Sequence, residues 1–114
     1  MDFQAIKQTA RQARRYVLQM NHRAGKGHTG ADLSEVDIIC TLFMAVMDRS
    51  RPRPDQDRFI LSKGHGAGGL YCSAAAMGLI DPAILDQFMG TIRCWRAIPS
   101  IRSCQSWWKL TRVV

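Results

Sequence analysis

Asp57-Arg58-Phe59-Ile60-Leu61-Ser62-Lys63-Gly64-His65-Gly66 decides the fold class. Residues 58–61 form a short apolar run that predicts a strand, and the glycine-flanked histidine stands where a helix from about residue 66 to 77 would begin. A strand delivers the chain to a fixed point, glycines let backbone N–H groups approach a ligand, and the next helix adds its positive N-terminal end. His65 can donate a further hydrogen bond to an anionic oxygen. On its own the segment reads equally as a phosphate cradle and as a tight strand-to-helix turn with a surface histidine.

Upstream, Phe3, Ile6, Ala10, Ala13, Val17 and Met20 recur at steps of three and four, the stripe of an amphipathic helix. Lys7, Arg11, Arg14 and Arg15 face away from it and read as a solvated face. Glycines between residues 24 and 30 end that helix. Ser34 followed by Asp37 resembles an N-cap with an acid in the first turn, opening a second helix whose Val36, Ile39, Cys40, Phe43 and Met47 share a face. A proline-interrupted loop over residues 49–54 leads to the strand, and Asp81-Pro82 starts a last short helix. Helix, helix, strand, helix is the N-terminal edge of an α/β layer fold, mostly helical as it stands.

At 114 residues, 46% hydrophobic and 22% charged, the chain is about one small soluble domain. Its start lacks the layout of a signal peptide, and its longest mainly apolar stretch, residues 38–47, is too short to span a bilayer. A cytoplasmic location follows as the default. Cys40, Cys72, Cys94 and Cys104 form no C-x-x-C pair, so they read as free thiols, without a zinc or redox motif. The net charge of +7 is unevenly placed. Residues 1–90 hold eleven basic and nine acidic residues, whereas residues 91–114 hold five basic residues, no acid and all three tryptophans.

Gly25-Lys26-Gly27-His28-Thr29-Gly30 formally fits a dinucleotide fingerprint, but it follows a helix, so a Rossmann site is excluded by context. What remains is a histidine on a glycine-flexed loop, either an active-site residue or one without a role. The order of the two elements narrows this. Arg23 to Ser34, then Asp57 to His65 about forty residues apart, resembles the start of transketolases, most of all the separately encoded N-terminal subunits of bacterial transketolase-like enzymes. The resemblance covers roughly residues 3–90.

The resemblance implies a thiamine-diphosphate-binding fold with a parallel sheet flanked by helices, and transfer of a two-carbon ketol unit between sugar phosphates. It gives His28 the catalytic role of facing substrate and assisting proton transfer, and His65 the role of touching the cofactor's diphosphate. Asp57 and Arg58 match a family run and are read as structural, His22 matches no functional position, and Lys63 is read as solvent-facing. A magnesium or other divalent ion would clamp the diphosphate through a Gly-Asp-Gly segment beyond this chain, so no metal ligand is named. The implied partners are a second copy and a C-terminal subunit, with neither nucleic acid nor membrane. Because the family's active site forms between subunits, this chain alone is expected to be inactive. The alternatives are a related synthase, such as a deoxyxylulose-phosphate or dihydroxyacetone synthase, and a non-enzymatic remnant with a basic, aromatic tail.

After Phe88 the family would continue through a Gly-His-Pro segment, but this chain reads Gly90-Thr91-Ile92-Arg93-Cys94-Trp95-Arg96. In a neighbouring reading frame Cys94-Trp95 must give leucine, Trp107-Trp108 valine and Trp108-Lys109 glutamate, and the whole tail permits a family-like string. Residues 1–90 are therefore expected to form a partial domain, and residues 91–114 to be an out-of-frame tail. The aromatic and basic tail imitates a single-strand binding patch without being one.

Overall fold

A computed structural model describes residues 1–87. The expected boundary at residue 90 and the tail, with Cys94, Cys104 and the three tryptophans, lie outside the described residues.

Three helices carry the structure: α1 (Phe3–Ala24), α2 (Thr29–Thr41) and α3 (Ala67–Ala76). Asp2 caps α1, its side chain accepting from the amides of Gln4 and Ala5, and Gly25 ends it at φ 65, the left-handed position that glycine takes without steric cost. The expected stripe is buried from Ile6 to Met20, while Phe3 is 64% exposed. Among the described residues, no element packs over Phe3 in this first turn of α1.

All three helices pack on one another. Their core joins Ile6, Ala10, Ala13, Val17 and Met20 to Val36 and Cys40 of α2 and to Tyr71, Cys72, Ala74 and Ala75 of α3. Small residues at Ala10, Ala13, Ala74 and Ala75 let the axes approach closely, so packing comes from tight backbone contact more than from bulk. Burial pushes the Cys72 thiol up to about 12, with the Asp32 charge adding to the effect, and burial likewise raises Cys40. Both are core thiols, unreactive at neutral pH.

α2 begins at Thr29, its N-cap six residues before the one expected at Ser34. His28 takes the N-cap position, and the Ser34 hydroxyl donates to the Ala31 carbonyl from inside the helix. The capping pattern there was imitated by a serine bonding back along its own helix. Beyond Thr41 the helix widens into a π turn, Leu42–Val46, closed by Met47 N donating to Leu42 O at 2.8 Å. Asp57 then fastens the loop over residues 48–57: its carboxylate accepts from the Asp48 amide at 2.7 Å, and its own amide donates to Asp48 O. That agrees with the structural reading of Asp57.

Residues 58–61 carry no strand, and no strand occurs among the described residues. Phe59 anchors the segment edge-on against Phe43, with ring centroids 5.5 Å apart, but residues 58–61 make no backbone–backbone hydrogen bond among the described residues. A strand exists only through a paired neighbour, and a β-rich local composition cannot supply one. A single 3-10 turn at Gly64–Gly66 and a six-residue 3-10 helix at Pro82–Gln87 flank α3, the second opened by Asp81 accepting from the Ala83 amide.

Candidate functional site

The two histidines singled out by motif meet. His28, at the N-cap of α2, and His65, in the turn before α3, stand with ring centroids 5.4 Å apart and planes at 65°. Both side chains belong to exposed residues. His22 lies exposed in the last turn of α1 and takes no part in this contact.

Beneath the pair runs a buried polar layer. Asp32, 1% exposed, accepts from Asn21 Nδ2 at 3.0 Å and from the Gly69 amide at 3.1 Å. Gly69 lies in the first turn of α3, whose N-cap, Gly66, has no side chain. Asp32 therefore caps α3 from another helix, satisfying an amide that a glycine N-cap leaves open. One amide at the positive end of α3 is thus met by a protein carboxylate, beside the turn that carries His65.

The glycines serve the same layer. A methyl group on Gly66 would stand 2.6 Å from Glu35 Oε2, and one on Gly68 would stand 2.9 Å from Met20 Cε and 3.0 Å from the Asp32 carboxylate. They make room for α2's carboxylates. On the other loop, Gly27 at φ 148 lies against Asn21, where a methyl would come within 2.5 Å of Cγ. Asn21 is 8% exposed and also donates to Thr29 Oγ1 at 3.0 Å, tying α1 to the residue after His28. Sequence reasoning passed over it, although it follows Met20 on the edge of the apolar stripe, where a polar side chain needs partners.

Lys63 is not solvent-facing. Its ammonium donates to Ala31 O and to Ser34 Oγ, each at 2.8 Å, and lies 3.3 Å from Glu35 Oε2. Both Glu35 carboxylate oxygens are buried without a hydrogen-bond partner. Burial raises the Glu35 pKa above its usual 4.5, the nearby Asp32 charge adds to the rise, and the Lys63 ammonium opposes it.

A pH dependence follows. From 4.5 up to the raised folded value the unfolded chain has released this proton while the folded chain still holds it, so stability falls as pH rises through that window. Below the window, both states are protonated and the penalty vanishes. Asp48, held low by the Ser50 hydroxyl and amide, acts only at lower pH, below its usual 3.8. Urea midpoints measured across mildly acidic pH are expected to decline in the wild type and to flatten in Glu35→Gln; an unchanged slope in the variant would show that another group titrates.

Among the described residues, no group of three or more His, Cys, Asp or Glu side chains could hold a metal ion, and no helix is long and apolar enough to cross a membrane.

Comparison with known proteins fits this arrangement. The family model described as "Transketolase, thiamine diphosphate binding domain" matches residues 5–100, running past the boundary expected at residue 90. The chain is 42% identical over 85 residues to an apulose-4-phosphate transketolase subunit of Actinobacillus succinogenes, covering 70% of this chain and 30% of that protein. It is 33% identical over 84 residues to the 6-deoxy-6-sulfo-D-fructose transketolase subunit SqwG of a Clostridium species, covering 71% of this chain and 30% of the relative. Human transketolase is 40% identical over 85 residues, 72% of this chain and 14% of its own length. The chain thus spans about a third or less of these relatives. No solved structure is significantly similar to it. With a match across most of its length that includes both histidine motifs, the chain belongs to the transketolase thiamine diphosphate binding domain family.

Proposed function

We propose that the chain supplies the His28 and His65 side of a thiamine diphosphate site in a transketolase-type transferase acting on sugar phosphates. The observation that carries this reading is the 5.4 Å approach of two exposed imidazoles from motifs far apart in sequence. When bound, the cofactor supplies a thiazolium carbanion equivalent that accepts and releases a two-carbon ketol unit.

The residues present suit such a group. An imidazole donates to a diphosphate oxygen through a ring N–H, which is the role proposed for His65. His28, beside it, would give and take a proton at a substrate oxygen through a ring nitrogen, chemistry to which imidazole is suited. His28 has no side-chain capping bond to α2, so its ring is not already committed to the helix start. Thiamine diphosphate with magnesium, a second copy and a companion subunit complete the proposal. The first rests on the family, and the companion on relatives that are themselves named as subunits.

Imidazole NMR shifts, followed while thiamine diphosphate and magnesium are titrated in, test the assignment. The His65 signals are expected to move more than those of His28, and His65→Ala is expected to weaken the response about tenfold, the scale of one charge-assisted hydrogen bond. Binding that His65→Ala leaves unchanged would sink the assignment.

A further inference from the structure

We propose that Lys63 is a positioning residue that holds His65 against His28. The inference rests on the two-histidine site proposed above. Lys63 precedes His65 by two residues, in the segment entering the Gly64–Gly66 turn. Its ammonium crosses to the first turns of α2, the helix that His28 caps, and ends on three groups there: Ala31 O, Ser34 Oγ and the Glu35 carboxylate.

These contacts span the gap between the two motif-bearing segments. Ala31 stands three residues after His28, so a single side chain joins the backbone beside one histidine to the backbone beside the other. Of the three ammonium donors, two are met by acceptors at 2.8 Å, and the Glu35 carboxylate adds an ion pair at 3.3 Å. Holding a flexible four-carbon arm costs rotamer entropy, which several bonds on one rigid helix turn offset better than one would.

Gly66 is explained by the same strut. A methyl group there would lie 2.9 Å from Lys63 Cε and 2.6 Å from Glu35 Oε2, so the glycine after His65 clears the path of the lysine arm. The Gly-His-Gly run then has a mechanical meaning: the histidine projects outward while the following glycine lets its own loop be tied down from beneath.

A lysine that merely neutralises Glu35 would predict something different, and the two accounts separate in a variant set. The readout is the nuclear Overhauser contact between the His28 and His65 rings, recorded without cofactor. Lys63→Met is expected to weaken that contact about fivefold, a loss of roughly one net hydrogen bond's worth of ordering. The double variant Lys63→Met with Glu35→Gln removes the buried unpaired charge, so it is expected to recover the thermal midpoint but not the ring contact. Glu35→Gln alone is expected to keep the contact, because both 2.8 Å bonds from Lys63 remain.

Full ring contact in the double variant would overturn the proposal, and so would its loss in Glu35→Gln alone. If Lys63→Met does not fold, the double variant decides. Failure of the wild type to respond to thiamine diphosphate would defeat the cofactor reading only, since the ring contact is measured without that ligand.

Discussion

Gly69→Ala is expected to lower the unfolding free energy by about 3 kcal/mol, at the upper end of what overpacking a close interface costs. The added methyl would stand 2.6 Å from the Asp32 carbonyl oxygen and 2.6 Å from Glu35 Oε1. A carboxylate end can swing aside, but the Asp32 carbonyl is part of the α2 backbone. Relief therefore needs α2 and α3 to move apart. That loosens the core that Val36 and Cys40 share with Cys72 and Ala75, and stretches the 3.1 Å bond from the Gly69 amide to Asp32. Alanine's helix propensity pulls the other way by about 1 kcal/mol, too little to offset the clash together with a weakened bond to a buried charge. Gly64→Ala is the control, because a methyl there meets nothing within 4 Å. Its effect is expected to stay within about 0.5 kcal/mol. Urea denaturation of the two variants decides the point: equal midpoints would mean that the helices are not in tight contact at Gly69.

Much of this arrangement was legible from residue spacing, and the exceptions share a cause. The α1 stripe is a property of one helix meeting one core, so period alone found Ile6 to Met20. That His28 and His65 serve one site was implied by the family resemblance that the two motifs carry together, and not by either motif alone. What escaped depends on partners distant in sequence. Residues 58–61 have strand composition, yet strand pairing belongs to two segments at once. Lys63 looks like any surface lysine until the carbonyl of Ala31, thirty-two residues away in the chain, is brought beneath it. Gly66, after His65, suggested a ligand, since a glycine marks close approach without naming what approaches. Here, the Glu35 carboxylate of α2 approaches. Asp32 and Glu35 sit on the side of α2 that also carries Val36 and Ile39, and two acids on a buried face, like Asn21 on the α1 stripe, were the available sign that a polar layer had to exist.

That layer predicts the largest single loss. Asp32→Ala is expected to cost about 4 kcal/mol, since it removes two hydrogen bonds to a buried charge and leaves the Gly69 amide without an acceptor. No side chain within α3 can replace it, because Gly66 is the N-cap and Gly68 and Gly69 follow in the first turn. Asn21 keeps Thr29 as a partner, so most of the damage falls on α3. One opposing effect reduces the total: the Asp32 charge contributes to the burial-driven rise at Glu35, and its removal eases that repulsion. Asp32→Asn separates shape from charge. Its amide oxygen can still accept from Gly69, and its amide nitrogen can donate to Asn21 Oδ1, which has no partner in the wild type, once the Asn21 amide turns over. That variant is expected to lose only about 1 to 2 kcal/mol, the difference between a charged and a neutral acceptor. Hydrogen exchange at the Gly69 amide reports on the cap itself. It should become fast in Asp32→Ala and stay slow in Asp32→Asn, and a slow Gly69 amide in the alanine variant would show that α3 is capped by something other than Asp32.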